Sequence, residues 1–147
     1  MIALSLKPAN CSWSVISFPS TLYTQPVLDL LIAKVPPPWR AEVRLGLQEA
    51  IINAVRHGNG LDPNKRVIVE YASSELFYQW LVRDQGSGFR PQEELNRCRC
   101  GILETEESGR GMLLLTQIFD FVQWNETGNQ LYLGKYIHPG CRDPWIV

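Results

Sequence analysis

The chain has 147 residues, a formal net charge of −1, and 45% hydrophobic against 20% charged residues. That length buries a real core in one domain without disulfide staples, and the near-neutral balance argues against a general nucleic-acid binder, which carries a basic excess or stripe. No run approaches the length of a membrane-spanning helix, and residues 1–10 lack the apolar centre of a secretion signal, so the expected address is the cytoplasm.

In chain order, residues 11–18 alternate Trp13, Val15 and Ser17 against Ser12, Ser14 and Ile16, which predicts a first strand ended by Pro19 and Ser20. Residues 24–35 place Val27, Leu30, Leu31 and Val35 at helical spacing, and Pro36-Pro37-Pro38 stops that helix. A second helix is predicted from Trp39 to about Val55, where Val43, Leu47, Ala50, Ile51, Ala54 and Val55 form one apolar stripe. His57-Gly58-Asn59-Gly60 ends it. Residues 66–71 and 76–82 read as two strands joined by a turn at Ser73-Ser74, followed by Asp84-Gln85-Gly86-Ser87-Gly88.

Residues 90–108 are polar, rich in glutamate and weakly periodic, and read as a long loop. A loop of that length inside a compact domain is usually functional, often a lid. Residues 109–119 are helical, residues 121–125 and 130–137 form a hairpin about Thr127-Gly128-Asn129, and the last ten residues read as a tail. No repeat and no second domain is visible, so the whole of residues 1–147 is one domain with its core at about 11–137. Cys11, Cys98, Cys100 and Cys141 contain no C-x-x-C pair and meet only His57 and His138, so they read as free thiols rather than zinc ligands.

Three elements carry candidate chemistry. Glu49 and Asn53 stand four apart and project on one face of the second helix, flanking its apolar stripe at a cavity edge. An asparagine oxygen suits a magnesium ion that takes its other ligands from phosphate and water, and a glutamate one turn away suits a general base. By itself the pair fits a solvated glutamate and a capping asparagine on a core helix better, because such spacings are common. Asp84-x-Gly86-x-Gly88 after a strand offers an acceptor-only carboxylate for an exocyclic amino group and glycines that let a ligand come close. Alone it is also an ordinary strand exit. Gly109-Arg110-Gly111-Met112 opens a helix, where free N–H groups and the dipole favour an anion and Arg110 adds charge; a glycine entry into a packing helix reads the same way.

What an ordinary scaffold does not explain is the order and spacing of all three. Residues 47–58 (LQEAIINAVRHG), then Asp84-Gln85-Gly86-Ser87-Gly88-Phe89, then Ser108-Gly109-Arg110-Gly111-Met112 resemble the three boxes of the GHKL ATPase superfamily, and the form Glu-x-x-x-Asn-Ala-x-x-His-Gly resembles the anti-sigma-factor serine kinases of partner-switching systems. The resemblance runs from about Ser14 to Ile137. It implies an α+β fold: a two-layer sandwich with helices on one face of a mixed, mostly antiparallel sheet. It implies ATP or ADP with magnesium as cofactors, Glu49 as catalytic base and Asn53 as magnesium ligand. It further implies Asp84 as the adenine reader with Gly86 and Gly88 shaping its pocket, and residues 90–108 as the ATP lid. Remaining nucleotide contacts fall on Ser108, Gly109, Arg110, Gly111, Met112 and Asn129. The implied partners are a STAS-domain antagonist and a sigma factor, with a homodimer as the working form.

Two departures stand out. Where the family often has Gly-Thr in the last hairpin, with the threonine supporting the adenine-binding aspartate, this chain has Gly128-Asn129, and Arg90 stands where an acidic residue is frequent. Beside the serine kinase, the sequence admits a nucleotide-gated binding module without significant kinase activity. A detached histidine-kinase catalytic domain fits less well, because no helix pair with a phosphoacceptor histidine accompanies it.

Overall fold

In the computed structural model, residues 12–88 and 107–146 are described. The chain runs β1 (Ser14–Pro19), α1 (Gln25–Leu31), a 3-10 turn (Pro37–Trp39), α2 (Arg40–Asn53), a π-helical turn (Ala54–Gly58), β2 (Arg66–Ser73), β3 (Phe77–Arg83), α3 (Glu107–Ile118), β4 (Phe121–Trp124) and β5 (Gln130–Tyr136). The five strands form one sheet in the order β1-β2-β3-β5-β4, and every pairing among them is antiparallel. This is the α+β architecture expected from the sequence.

Period-two alternation decides which side of each strand meets the helices. Phe18, Val67, Val69, Trp80, Val82, Leu131 and Leu133 join Leu28, Leu31, Val43, Leu47, Ile51, Leu115 and Ile118 in a single core. The stripe read from α2 is therefore the stripe that is buried. Full burial of a Leu or Ile side chain contributes about 1.5–3 kcal/mol, so these positions dominate the stability of the sandwich. The indole N–H of Trp80 reaches across the layers to the Leu31 carbonyl at 3.1 Å, so that buried donor is satisfied.

The first helix is shorter than residues 24–35. Proline disfavours helical backbone in the residue before it, so Val35 cannot carry the helix up to Pro36. The chain loosens after Leu31 while Val35 stays buried. Arg40 then takes the released carbonyls, its Nε donating to Val35 O at 2.8 Å and a terminal nitrogen to Ala33 O at 3.1 Å.

At its other end α2 widens rather than stopping. The Asn59 amide donates to Ala54 O at 2.8 Å and the Leu61 amide to Val55 O at 2.9 Å, longer-range bonds than an α-helix makes. Such π turns re-aim side chains and recur at functional sites. Beyond β5 the chain packs back: Cys141 lies against the core, and Arg142 donates at 2.8 Å to the fully buried carboxylate of Glu42 in the first turn of α2. None of the described helices is long and apolar enough to cross a membrane.

Candidate nucleotide site

A cavity of about 180 Å³ opens between the end of α2 and the sheet. Ala50, Asn53, Ala54, His57 and Gly58 form one wall, Met112 of α3 another, and Val82, Asp84, Gly88, Trp124, Gly128, Asn129, Gln130 and Leu131 the floor and far side. The lining is mostly apolar with a few polar groups, the usual make-up of a small-molecule or cofactor pocket. A groove of about 530 Å³ shares Asn53 and His57 with it and is otherwise lined by Leu22, Glu49, Ile52, Arg56, Arg110, Gly111 and Leu114. The groove carries two arginines and one carboxylate, and Asn53 stands at the junction.

Asp84 sits at the end of β3, its amide bonded to Asn129 O at 3.0 Å and its Oδ1 accepting from the Gly86 amide at 2.8 Å. Burial raises its pKa above the ordinary carboxylate value, opposed by the Gly86 N–H and by the charge of Lys65. Its surroundings leave no room for larger neighbours. A Cβ on Gly58 would overlap the Asp84 carboxylate, and one on Gly86 would overlap the Gly58 carbonyl. Gly88 has φ +87° with the Thr127 carbonyl where a side chain would go, so only glycine fits there.

Across the groove α3 meets α2. A Cβ on Gly111 would overlap Glu49 Oε1 and stand 2.9 Å from its Cγ, so the bare backbone of α3 lies directly on the Glu49 side chain. The two boxes, some sixty residues apart in the chain, are thus in contact. Arg110 lies on the same groove, and Met112 turns inward to the cavity.

The structure therefore brings together Glu49, Asn53, Arg110 and Gly111 on the groove and Asn53, Asp84, Gly88, Met112 and Asn129 on the cavity, with Gly86 packed behind Asp84. Ser108 and Gly109 fall in the first turn of α3. Residues 90–106 of the expected lid, with Arg90, Cys98 and Cys100, lie outside the described residues, as do residues 1–11.

Asn129, standing where a threonine was noted, donates to Gly86 O at 3.4 Å and accepts from Asn125 Nδ2 at 2.8 Å. It braces the backbone of the Asp84 turn. Asn125 was missed from sequence. Its Oδ1 accepts from the amides of Gly128, Asn129 and Gln130 at 2.8, 3.1 and 3.2 Å and so shapes the hairpin that floors the cavity. An asparagine three residues before a turn glycine was the available signal. Asn59 was also read only as part of a helix stop, yet it is buried beside the site.

The family model described as histidine kinase-like ATPase domain matches residues 28–135, from within α1 to within β5. The chain belongs to this family. Relatives of this ATPase domain include the anti-sigma F factor of Geobacillus kaustophilus, 31% identical over 101 residues, and that of Geobacillus thermodenitrificans, 29% identical over 100 residues. Each alignment covers 65% of this chain and 68% of the relative. The domain is accordingly an ATP-binding one, and the cavity and groove are where the three segments singled out in the sequence converge.

Proposed function

We propose that this ATPase domain is a protein serine/threonine kinase and regulator of the anti-sigma-factor type. It transfers the γ-phosphoryl group of ATP to a serine of a STAS-domain antagonist and, when not held by that antagonist, binds and silences a sigma factor. The observation that carries the reading is Glu49 lying against Gly111, one helical turn from Asn53, on a groove continuous with the base cavity. A pure binding module has no need of a carboxylate there.

In the transfer, the seryl oxygen forms a bond to the γ-phosphorus as the bond to the β,γ-bridging oxygen breaks. The electron pair leaves with ADP, and Glu49 accepts the hydroxyl proton. Arg110 and Arg56, which line the groove, offset phosphate charge. Among the described residues no group of three His, Cys, Asp or Glu side chains could enclose a metal ion. Asn53, a single neutral oxygen donor at the junction of cavity and groove, suits magnesium, which takes its remaining ligands from phosphate and water. When bound, that ion neutralises charge on the phosphates. We extend the reading, on the resemblance of the sequence, to a cytoplasmic homodimer acting on proteins rather than on nucleic acid or membrane.

The test is incubation of the purified protein with labelled ATP and each STAS-domain protein of the same genome. Wild type is expected to label one of them, and Glu49→Ala to lose transfer while keeping ATP and partner binding. Nucleotide-dependent partner binding with no transfer by wild type would instead favour the binding module.

A further inference from the structure

Directly after the π turn, Asn59 is 2% exposed and its amide is fully engaged. Its Nδ2 donates to Ser20 Oγ at 2.8 Å and to Arg66 O at 2.9 Å, and its Oδ1 accepts from the Gln85 amide at 2.7 Å. One side chain therefore ties the end of β1 and the start of β2 to the turn that follows Asp84. The chemistry of that spot calls for an amide. Two acceptors and one donor converge on it, so a carboxylate would lack donors and an aliphatic residue would take one partner from each of the three groups.

The sheet-side bonds are what a purely structural residue would make. The bond to Gln85 is different in kind. Gln85 is exposed and belongs to the turn whose geometry sets where Asp84 points, because Gly86 closes back onto Asp84 Oδ1 at 2.8 Å. On the far side of the turn Asn129 holds Gly86 O by a longer bond, 3.4 Å. The preceding residue, Gly58, packs on the Asp84 carboxylate itself. The end of α2 and the base-reading turn are thus clamped to one another at Gly58 and Asn59.

We propose that Asn59 is a positioning residue for base recognition: by holding the Gln85 amide it fixes the direction in which Asp84 presents its carboxylate to an adenine amino group. This rests on the reading of Asp84 as the acceptor for that group. Asn59 does not touch the base. It acts through the turn, and the consequence is selectivity: misplacing Asp84 harms a ligand that donates to it and leaves unaffected one that does not.

Affinities for ATP and for inosine triphosphate, measured by calorimetry on the whole chain, separate these effects, because hypoxanthine carries an acceptor where adenine carries the amino group. Asn59→Ala is expected to weaken ATP about 5–10-fold and inosine triphosphate less than about twofold, the scale of one lost hydrogen bond. Ser20→Ala, which removes a sheet-side partner of the same amide together with that hydroxyl's 2.9 Å bond to Lys65 O, is expected to leave the ratio of the two affinities at its wild-type value. An unchanged ratio in Asn59→Ala would overturn the proposal. Wild type that does not prefer ATP at all removes the reading of Asp84, and with it this role for Asn59. Should Asn59→Ala fail to fold, amide exchange in the nucleotide-free wild type decides: the Gln85 N–H is expected to exchange slowly, and exchange at the rate of an unstructured peptide overturns the proposal.

Discussion

Replacing Gly111 by alanine separates the fold of this domain from its chemistry. The added methyl would overlap Glu49 Oε1 and stand 2.6 Å from Cδ and 2.9 Å from Cγ. These atoms end a flexible side chain and are not backbone, so α3 keeps its place and the carboxylate swings away. Alanine for glycine inside a helix gains about 1 kcal/mol, while forcing Glu49 from its rotamer costs about 0.5–1.5 kcal/mol. The two nearly cancel. At about 2–4 °C per kcal/mol for a chain of this size, Tm should move by no more than about 3 °C. Transfer should fall about 10²–10⁴-fold, the usual cost of losing a positioned general base. The rate is measured with labelled ATP at saturation, so that any loss of affinity does not enter it.

The double variant Glu49→Ala with Gly111→Ala has no overlap left to relieve. It should melt about 2–4 °C above Glu49→Ala alone and transfer no more slowly than either single variant, because both remove the same function. Transfer by Gly111→Ala within about threefold of wild type would refute the idea that Glu49 works from its place against α3.

Asp84→Asn should weaken ATP by more than about threefold, because the amide can present a donor to the adenine amino group. The same variant carries a pH signature. A carboxyl whose pKa is higher folded than unfolded makes the fold less stable as pH rises through the interval between the two values, with a constant penalty above it. Burial raises Asp84 in this sense, so the nucleotide-free Asp84→Asn protein should melt above wild type at neutral pH, and the gap should close as pH falls below the ordinary value of 3.8. A gap that widens on acidification would contradict the assignment. Asn53→Ala should lose both ATP affinity and transfer, and wild type should bind ATP less tightly in excess chelator; equal binding with and without magnesium would remove Asn53 from that role. Arg142→Ala leaves the fully buried Glu42 without its 2.8 Å partner and should cost about 2–4 kcal/mol in chemical denaturation, part of which Glu42→Gln in the same chain should restore.

Much of this molecule was legible in the chain because local physics repeats along it. The apolar period of α2 names the face that Val43, Leu47, Ile51 and Val55 bury, and alternation names the inward residues of β2 and β3. The three boxes to which we assign the chemistry were legible because each is a local device: a helix face, a strand exit, a helix start. Sequence also fixed where proline forbids helix, although it overestimated α1, since the bias acts one residue upstream and the helix unwinds sooner still.

What only the tertiary structure decided are the contacts between segments far apart. That Gly111 lies on Glu49, that Gly58 backs the Asp84 carboxylate, and that Gly88 is pinned by the Thr127 carbonyl are facts of close approach, invisible in a glycine's own neighbourhood. Asn59 and Asn125 looked like turn formers because asparagine in a loop usually is one. Their roles arise from donors and acceptors on Ser20, Arg66 and Gln85, and on Gly128, Asn129 and Gln130, brought together by folding. A buried polar side chain is defined by partners, and except where these are near in the chain, no pattern along the chain records them. The segment after β5 carries the same lesson: it read as a tail because Arg142 has no periodic context, and its partner, Glu42, lies one hundred residues away.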